Sequence, residues 1–481
     1  MQTGLHGSGH PQPSSDALHS GYIWGIALVA AMGGLLFGYD WVVIGGAKSF
    51  YEVYFHLTTE NQVGWANSCA LAGCLAGALI AGWVGSRMGR KKVLLLAAFL
   101  FAVSSVFTGW APSFPFFSAW RIAGGVAIGL ASNVSPLYIA EISPAAWRGR
   151  LVSLNQLAIV VGILAAQIVN WLIAQRIPAG EAVLPGSWNA QFGWRWMFTA
   201  VAIPAILFFL LALLIPESPR WLVGAKQPNR AIKVLARMGG DAYAAAEIAA
   251  IEETLHDADA MRAGWKELFG KGARKLLLIG IALAVLQQWS GINILFNYAE
   301  EVYKGAGFGV SGILFNIVIT GAINLLFTLF AMTFVDRLGR RKLMLLGCGG
   351  VGLCHLAASL AYHAGWRGSI VLVITLAAIA CYAMTLAPVT WVLISEIFPN
   401  RLRSAGVSAA VAALWTASFV LTYTFPAINR AFGTSGAFLG YAGICFLGFA
   451  FVLRRVAETG GKTLEEIERN SGLKPAEARK S

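Results

Sequence analysis

Twelve long apolar stretches constrain the fold of this chain more than any other feature of its sequence. A helix rises about 1.5 Å per residue and the hydrocarbon core of a bilayer is roughly 30 Å thick, so an apolar stretch of about 18 residues can span a membrane. Hydrophobic residues make up 57% of the chain and charged residues only 12%, whereas soluble domains are about 25% charged. The sequence therefore predicts an all-α membrane protein with twelve transmembrane helices. The predicted spans are 22–46, 64–84, 93–110, 116–139, 151–173, 196–215, 276–298, 310–335, 343–362, 370–397, 405–425 and 437–456.

The arginines and lysines of the short loops set the predicted orientation. Most of them follow even-numbered spans, among them Arg87, Arg90, Arg148, Arg340 and Arg403. Because cytoplasmic loops are enriched in such residues, both termini are predicted to be cytoplasmic in a multi-pass protein of the plasma (inner) membrane. The net charge of +13 arises from these short clusters rather than from one basic patch. We therefore expect the lipid bilayer, and no nucleic acid, as a macromolecular partner.

The two halves of the chain repeat one another. Residues 86–92 read Ser-Arg-Met-Gly-Arg-Lys-Lys and residues 336–342 read Asp-Arg-Leu-Gly-Arg-Arg-Lys, while Glu141-Ile-Ser-Pro is echoed by Glu396-Ile-Phe-Pro. Parallel repeats of this kind predict two pseudo-symmetric six-helix bundles with a binding site between them near the membrane midplane. The predicted organisation is a disordered cytoplasmic tail (1–20), an N-terminal bundle (21–215), a cytoplasmic linker with short helices (216–275), a C-terminal bundle (276–456) and a cytoplasmic tail (457–481).

Two opposite charges lie inside predicted spans, Asp40 in the first and Arg121 in the fourth. Burying an ionised Asp at the bilayer centre costs on the order of 2.5 to 3.5 kcal/mol, so Asp40 needs a partner. The helical rise places Asp40 roughly 9 Å and Arg121 about 7 to 8 Å from the outer ends of their spans, and we predict that they pair. An arginine neighbour holds an Asp ionised, whereas desolvation favours its neutral form. The pair is therefore either a proton switch or a structural ion pair that fixes two helices.

Several short motifs resemble those of one family. They are the Gly-Arg-Lys and Gly-Arg-Arg loops, Pro216-Glu-Ser-Pro-Arg220, Gln287-Gln-Trp-Ser-Gly-Ile-Asn293 and Glu458-Thr-Gly-Gly-Lys462-Thr. Together they resemble the sugar porter family of the major facilitator superfamily, and within it the bacterial proton-coupled symporters of the xylose and galactose type. The resemblance implies the major facilitator fold, with a small cytoplasmic helical segment between the bundles. It also implies that Asp40 is the proton-coupling residue and Arg121 its partner.

Uncharged amides at membrane depth predict where a sugar binds. Gln287 and Gln288 lie roughly 17 Å into the seventh span, and each amide offers the donors and acceptors that an uncharged polyhydroxylated ring requires. On an unbroken helix Asn293 would point about 140° away from Gln288, so we predict a helix break at Gly291, as in other transporters. The resemblance adds five sugar-contacting positions, for which helix packing or interhelical hydrogen bonding is the alternative. These are Phe37, Gln156, Asn324, Trp391 and Trp415.

Opposite charges at the inner ends of the helices predict a cytoplasmic gate, a network that closes in one conformation and separates in the other. The alternative is that the arginines only determine orientation, but acidic residues in equivalent places of both halves favour the gate. The predicted gate residues are Arg87, Arg90, Glu141 and Arg148 in the first half and Asp336, Arg337, Arg340, Glu396 and Arg403 in the second.

The expected function is the import of a monosaccharide, a hexose or pentose, with a proton by alternating access between the two bundles. A uniporter, a proton-coupled polyol or inositol carrier, and a membrane sugar sensor that binds without transporting are the alternatives. No nucleophile–base pair, histidine cluster or phosphate-binding loop occurs in the apolar stretches, so we do not expect an enzyme. We expect a monomer with no cofactor and the proton as coupling ion. The sequence does not name the sugar.

Overall fold

The computed structural model describes residues 18–178, 183–260, 265–270 and 273–458, except for the side chains of 257–260, 265–266, 335–337 and 400–401. Within these ranges the secondary structure is helical, without strands. Seven α-helices form the N-terminal half, and a π-helical turn at Asn189–Gly193 precedes the sixth. They are α1 Ser20–Tyr54, α2 Glu60–Met88, α3 Arg90–Gly109, α4 Phe114–Ile142, α5 Arg148–Ile173, α6 Trp194–Thr199 and α7 Ala202–Leu214.

A helical segment connects this half to the C-terminal half. It contains α8 Pro219–Gly224, α9 Pro228–Ala260 and α10 Trp265–Leu268, and α9 is kinked at Gly240, where φ is 79°. Helix α9 is therefore longer than the short helices that the sequence predicts for this segment. The C-terminal half follows with α11 Ala273–Trp289, α12 Ile292–Asn297, α13 Ala299–Gly305, α14 Val310–Leu338, α15 Arg340–His363, α16 Ser369–Met384, α17 Leu386–Glu396 and α18 Asn400–Arg455.

The count of spanning helices differs from the predicted twelve in one place. Eleven helical segments of the described chain are long and apolar enough to cross a membrane. The last of these, Leu402–Arg455, has 54 residues and would be roughly 80 Å long if straight, far more than a bilayer needs. It is interrupted at Gly433, where φ is 68°. The eleventh and twelfth predicted spans are therefore both present, joined through Gly433 without a loop between them.

Two spans of the C-terminal half are broken within their length. The seventh predicted span consists of α11 and α12, separated at Gly291 in the left-handed conformation with φ 84°. The predicted break at Gly291 is thus confirmed. The tenth consists of α16 and α17, separated at Thr385 with φ −128° and ψ −82°. Broken spans in transporters bring polar groups on both sides of the break to a shared cavity.

Glycines allow the helices of the N-terminal half to pack closely. A Cβ added at Gly38 of α1 would stand 1.9 Å from the carbonyl oxygen of Ile159 on α5. A Cβ added at Gly125 of α4 would stand 1.9 Å from the carbonyl oxygen of Ala70 on α2. Small residues at such crossings let backbones approach each other in a membrane, where van der Waals packing drives helix association. These contacts hold α1 and α4 in their places within the bundle.

The two halves meet on the side of the molecule where α1 ends, which we call the distal side; the side where α1 begins is the proximal side. The rings of Trp41 and Phe296 lie 5.7 Å apart across this contact. A Cβ added at Gly45 would stand 2.5 Å from the carbonyl oxygen of Phe296, and Arg430 of α18 forms an ion pair with Glu60 of α2. These contacts close the distal side of the molecule.

Candidate transport site

The Asp40 and Arg121 side chains meet inside the N-terminal half. Arg121 Nη1 donates a hydrogen bond of 2.9 Å to Asp40 Oδ1, and Nη2 donates one of 3.4 Å to the Asp40 carbonyl oxygen. The two residues are only 4% and 3% exposed. A buried ion pair is strongly destabilised, by about 3 to 5 kcal/mol, when one partner is removed and the other charge is left alone. Protonation of Asp40 would therefore change the interactions that hold α1 against α4.

Neither partner of this pair has all its hydrogen-bonding capacity used. Asp40 Oδ2 and Arg121 Nε have no hydrogen-bond partner among the described residues. Gly124 lies beside Oδ2, with its added Cβ position 3.5 Å from that oxygen. The Arg121 guanidinium also lies 5.3 Å from the centre of the Phe198 ring, a favourable cation–π distance. The carboxylate therefore presents a second oxygen that is free to receive a proton while the first remains bound to Arg121.

The amides of the C-terminal half form a connected chain around the break in the seventh span. Gln288 Nε2 donates to Gln287 Oε1 at 3.2 Å, and Asn293 Nδ2 donates to Gln288 Oε1 at 2.5 Å. Asn293 Nδ2 also lies 3.4 Å from Ser418 Oγ on α18. The turn at Gly291 brings Gln288 and Asn293 together although they are five positions apart. The result is a group of neutral donors and acceptors of the kind that fixes a polyol in a binding site.

Two aromatic residues lie together at the contact between the halves. The rings of Phe37, on α1, and Trp415, on α18, are 5.8 Å apart at 57°. Trp415 is 4% exposed, and its indole N–H has no hydrogen-bond partner among the described residues. A buried indole donor usually finds an acceptor. A sugar hydroxyl between the bundles would supply one.

Three other predicted sugar contacts have no direct hydrogen bond or ring contact with this group among the described residues. Gln156 on α5 is half-buried, Asn324 on α14 is 6% exposed, and Trp391 on α17 is 40% exposed. Within the described part of the chain, no hydrogen bond or ring contact joins these three side chains to the amides of the broken span. Their role in sugar binding stays a prediction from the family resemblance.

Among the described residues of the proximal side, each half contains an Arg–Glu ion pair. Arg90 donates from Nε and Nη2 to both oxygens of Glu141, at 2.9 and 2.8 Å, in a bidentate pair. In the second half Arg340 Nε lies 3.5 Å from Glu396 Oε1. Ser218, which the sequence reasoning did not single out, donates to Glu141 at 2.5 Å. The repeated Arg–Glu pairs therefore brace α3 against α4 and α15 against α17.

The remaining arginines of the predicted gate do not form hydrogen bonds with carboxylates among the described residues. Arg87 is exposed and lies 4.7 Å above the Trp83 ring, and Arg148 donates to the carbonyl oxygens of Ala140 and Ser143. Arg403 has its Nε and Nη2 buried without a hydrogen-bond partner among the described residues. In this conformation no described carboxylate pairs with Arg87 or Arg148. The side chains of Asp336 and Arg337 lie outside the described residues, so their predicted places in the gate stay untested.

Two glutamates that the sequence analysis quotes only within longer motifs hold the proximal loops. Glu217 accepts the backbone N–H groups of Arg90 and Lys91, at 2.8 and 3.1 Å. Glu458 accepts those of Arg340 and Arg341, also at 2.8 and 3.1 Å. Each carboxylate thereby caps the first turn of a helix, where backbone N–H groups lack intrahelical partners. Glu217 and Glu458 occupy equivalent places after the sixth and twelfth spans, and this equivalence is the feature of the sequence that could have identified them.

A second missed group lies on the distal side, where Lys48 of α1 forms ion pairs with Glu300 and Glu301 of α13. The four-residue spacing of Lys48 and Glu52 indicated a helical ion pair, which the structure contains at 2.9 Å. The adjacent Glu300 and Glu301 follow an apolar span directly in the sequence. The contact of Lys48 with Glu300 and Glu301 was not predicted, because it depends on how the two halves pack against each other.

Two helical halves with a buried ion pair in one and an amide group in the other define the class of the protein, a multi-pass membrane transporter. The chain belongs to the family described as "Sugar (and other) transporter", whose model matches residues 26–470. It is 37% identical to the D-xylose-proton symporter of Escherichia coli, over 94% of this chain and 96% of that protein. It is 36% identical to the arabinose-proton symporter of Bacillus subtilis, over 95% and 97%.

Solved structures agree with this assignment. The xylose transporter of Escherichia coli in an inward-open conformation matches with a TM-score of 0.82 at 36% identity, over 93% of this chain and 100% of that chain. The same transporter bound to 6-bromo-6-deoxy-D-glucose matches with a TM-score of 0.76 at 36% identity, over 94% of this chain and 99% of that one. The predicted fold class is confirmed: two pseudo-symmetric bundles in the major facilitator fold.

Proposed function

We propose that this protein imports a monosaccharide, a hexose or a pentose, together with a proton by alternating access. One observation carries the proposal: a buried carboxylate with an unpaired oxygen in one half is combined with a chain of neutral amides in the other half. The relatives named as symporters of D-xylose and arabinose support the coupling and the substrate class. The particular sugar is left to experiment.

In this proposal Asp40 takes up the proton at Oδ2. Ionised Asp40 holds Arg121, and the pair fastens α1 to α4. A proton on Oδ2 removes the negative charge, so Arg121 loses much of its attraction to Asp40 and the two helices separate more easily. Binding and release of the proton then shift the equilibrium between the two conformations of the transporter, which open to opposite sides. The residue thereby links the proton to the conformational change.

The sugar binds, in this proposal, between the halves on the amides of the broken span. Gln287, Gln288 and Asn293 supply hydrogen bonds to hydroxyl groups, and Trp415 adds its unpaired indole N–H. The ring of Phe37 covers an apolar face of the sugar from the other half. Phe37, Gln156, Asn324 and Trp391 complete the site as the family resemblance implies. Binding that uses groups from both halves favours closure around the sugar.

We further propose that the distal side faces outward from the plasma (inner) membrane and that both termini are cytoplasmic. The proximal cations, among them Arg87, Arg90 and Arg340, support this orientation through the positive-inside rule. The protein works in the bilayer as a monomer, without cofactor or covalent chemistry, and the proton is the coupling ion. The sugar is its small-molecule partner.

Uptake by purified protein in proteoliposomes tests the proposal. With an inwardly directed proton gradient, a symporter accumulates labelled D-xylose, D-glucose or L-arabinose above the outer concentration, and an uncoupler collapses that accumulation. Equilibration of the sugar at a level independent of the proton gradient would instead establish a uniporter. Uphill uptake of inositol alone would establish a polyol carrier, and binding without flux would establish a sensor. Competition by unlabelled sugars identifies the preferred substrate.

A further inference from the structure

Four charged side chains meet where α1 of the N-terminal half faces α13 of the C-terminal half, and we call them the distal charge cluster. Its members are Lys48, Glu52, Glu300 and Glu301. Lys48 Nζ lies 2.5 Å from Glu301 Oε1, 2.9 Å from Glu52 Oε1 and 3.8 Å from Glu300 Oε2. Lys48 and Glu52 belong to one half and the other two residues to the opposite half. The cluster can therefore exist as a unit only while the distal side is closed.

The cluster contains more negative than positive groups. The side chains of Lys48, Glu52, Glu300 and Glu301 are 4%, 19%, 14% and 23% exposed. If all three carboxyl groups were ionised around Lys48, the cluster would carry two surplus negative charges, or one if the exposed Lys304 nearby is counted. Surplus charge that is withdrawn from water is costly, and one carboxyl group escapes that cost by binding a proton.

Several polar groups of the cluster have unused hydrogen-bonding capacity. Oε2 of Glu300 and Oε2 of Glu301 have no hydrogen-bond partner among the described residues. Tyr51, on the same helix as Lys48, is completely buried, and its hydroxyl is likewise without a partner there. It interacts electrostatically with Lys48, Glu52 and Glu301. An additional proton on a carboxyl oxygen would add a donor to a cluster in which the ionised carboxyl groups can only accept.

The groups that face the cluster come from all the elements around it. α1 contributes Lys48, Tyr51 and Glu52, α13 contributes Glu300, Glu301 and Lys304, and the segment before α13 contributes Tyr298, whose ring centre is 5.7 Å from Lys48 Nζ. Tyr441 of α18 interacts electrostatically with Tyr298. His56 lines the adjacent cavity. Lys48 and Lys304 are the two lysines of this set.

We propose that the distal charge cluster is a second proton-binding site, which holds one proton on its carboxyl groups while the distal side is closed and releases it when that side opens. The inference rests on alternation between closed and open distal sides, but not on proton coupling at Asp40. Opening separates α1 from α13, returns the carboxylates to water and leaves each of them able to ionise. Closing brings the three carboxyl groups together again. The proton is thus bound by one conformation in preference to the other.

The titration of Glu301 supports this assignment. Burial raises the pKa of Glu301 to about 7, Lys48 opposes that rise, and the neighbouring Glu300 and Glu52 add to it. Once exposed to water, a Glu has a pKa of about 4.3. The sign follows from linkage: a group with a higher pKa in the closed state stabilises that state at low pH, and the contribution is lost as the pH rises through about 7. Acidic distal solution therefore favours closure.

The proton has a route to the distal solution. A cavity of about 640 Å³ on this side is lined by Glu52, His56, Glu300 and Lys304, among other residues. Two cluster carboxyl groups therefore border a solvent-accessible space even while the halves are in contact. Exchange of the proton requires no passage through the membrane span, so the cluster can equilibrate with the pH outside while Asp40 remains buried.

The proposal is tested by measuring distances across the distal side with double electron–electron resonance, on the full-length protein in nanodiscs. Spin labels are attached at Thr58→Cys and Arg367→Cys, two exposed distal positions on opposite halves, after replacement of the native cysteines by alanine. All measurements are made in the Asp40→Asn background, so that Asp40 cannot contribute a pH dependence. We expect the ratio of closed to open molecules to fall as the pH rises from about 5 to 8, by up to tenfold per pH unit for one proton.

Glu301→Gln and, separately, Glu300→Gln should flatten this pH dependence, because each removes a surplus negative charge and leaves the cluster with little need for a proton. The matched control is Glu60→Gln, which removes a carboxylate from another distal ion pair between the halves, the pair with Arg430, in which one acid faces one base. This control should retain the full pH dependence. A closed fraction independent of pH in the Asp40→Asn background would overturn the proposal. So would an unchanged pH dependence in both cluster variants, with thermal melting used to show that each is folded.

Discussion

In the N-terminal half Glu217 accepts the backbone N–H groups that begin α3, and in the C-terminal half Glu458 accepts those that begin α15, with the same two distances. The likeness extends further. Lys91 Nζ donates to the carbonyl oxygen of Leu213, and Arg341 Nη2 donates to that of Leu453. The Arg90–Glu141 and Arg340–Glu396 pairs complete the correspondence. On the proximal side the two halves are built alike.

At the depth of the candidate site the halves differ. The N-terminal half contains the buried charges Asp40 and Arg121, and α4, which carries Arg121, runs unbroken from Phe114 to Ile142. The C-terminal half contains neutral amides, and its spans are broken at Gly291 and Thr385. The repeated residues therefore maintain the scaffold. Under the proposed function the residues that are not repeated divide the work: the N-terminal half binds the proton, and the amides that hold the sugar come from the broken span of the C-terminal half.

The strongest test of this division is Asp40→Asn. The substitution keeps the shape of the side chain but removes proton binding, so the gradient can no longer drive uptake. One proton moving down 100 mV supplies about 2.3 kcal/mol, and each 1.4 kcal/mol is a tenfold ratio. We expect sugar accumulation in proteoliposomes to fall from several tens-fold to equilibrium, while exchange of internal for external sugar continues.

Asp241→Asn is the matched control for this experiment, since it makes the same chemical change at an exposed position of α9. It should leave accumulation intact. Wild-type-like uphill uptake by Asp40→Asn would show that Asp40 does not bind the coupled proton. The proposed division between the halves would then be wrong.

Asn293→Ala tests the sugar side of the comparison. The variant loses the amide that bonds to Gln288 and lies beside Ser418, and a missing hydrogen bond in a buried polar site costs about 1 to 3 kcal/mol. We expect sugar affinity, measured by competition binding, to fall by roughly tenfold to a hundredfold. The ratio of protons to sugars carried should stay the same. An unchanged affinity alongside an altered ratio would place coupling, not sugar binding, in the C-terminal half.

For that experiment Gln191→Ala serves as the control, because it removes an amide of similar chemistry from the distal surface, where its side chain donates to the carbonyl oxygen of Pro185. Its sugar affinity should equal that of the unmodified protein.

Much of this arrangement was predictable from the sequence, for identifiable physical reasons. Apolar length predicted the spans, and the helical rise put Asp40 and Arg121 at matching depth, where the structure pairs them. A glycine between two amides predicted the break at Gly291. The contacts of Lys48 with Glu301 were not predictable, because they require the relative position of the two halves. The direct junction of the eleventh and twelfth spans at Gly433, without a loop, was not predictable either, since apolar stretches give no information on how tightly consecutive helices are joined.

The break in the seventh span is tested by Gly291→Ala. At φ 84° an alanine is strained, and its Cβ would stand 2.8 Å from the Tyr441 ring and 2.9 Å from His355 Nε2. Backbone strain of this type costs on the order of 1 to 3 kcal/mol. We expect lower thermal stability together with weaker sugar binding, because Gln288 and Asn293 lose their alignment. Gly440→Ala is the control, because no described atom outside its own stretch of helix lies within 4 Å of its added Cβ. Alanine is favoured over glycine inside a helix, so this variant should not lower thermal stability and should leave sugar binding unchanged.

The smallest expected effects concern the part of the molecule in which the halves agree. Glu217→Gln and Glu458→Gln each replace a charged acceptor of two backbone N–H groups by a neutral one. An acidic group at a helix start contributes about 0.3 to 1 kcal/mol through the helix dipole, so each variant should lower the melting temperature of the detergent-solubilised protein slightly and by a similar amount. Transport ratios and sugar affinity should stay unchanged. A large loss of coupling in only one variant would show that the proximal repeat also divides its function between the halves, as the deeper site does.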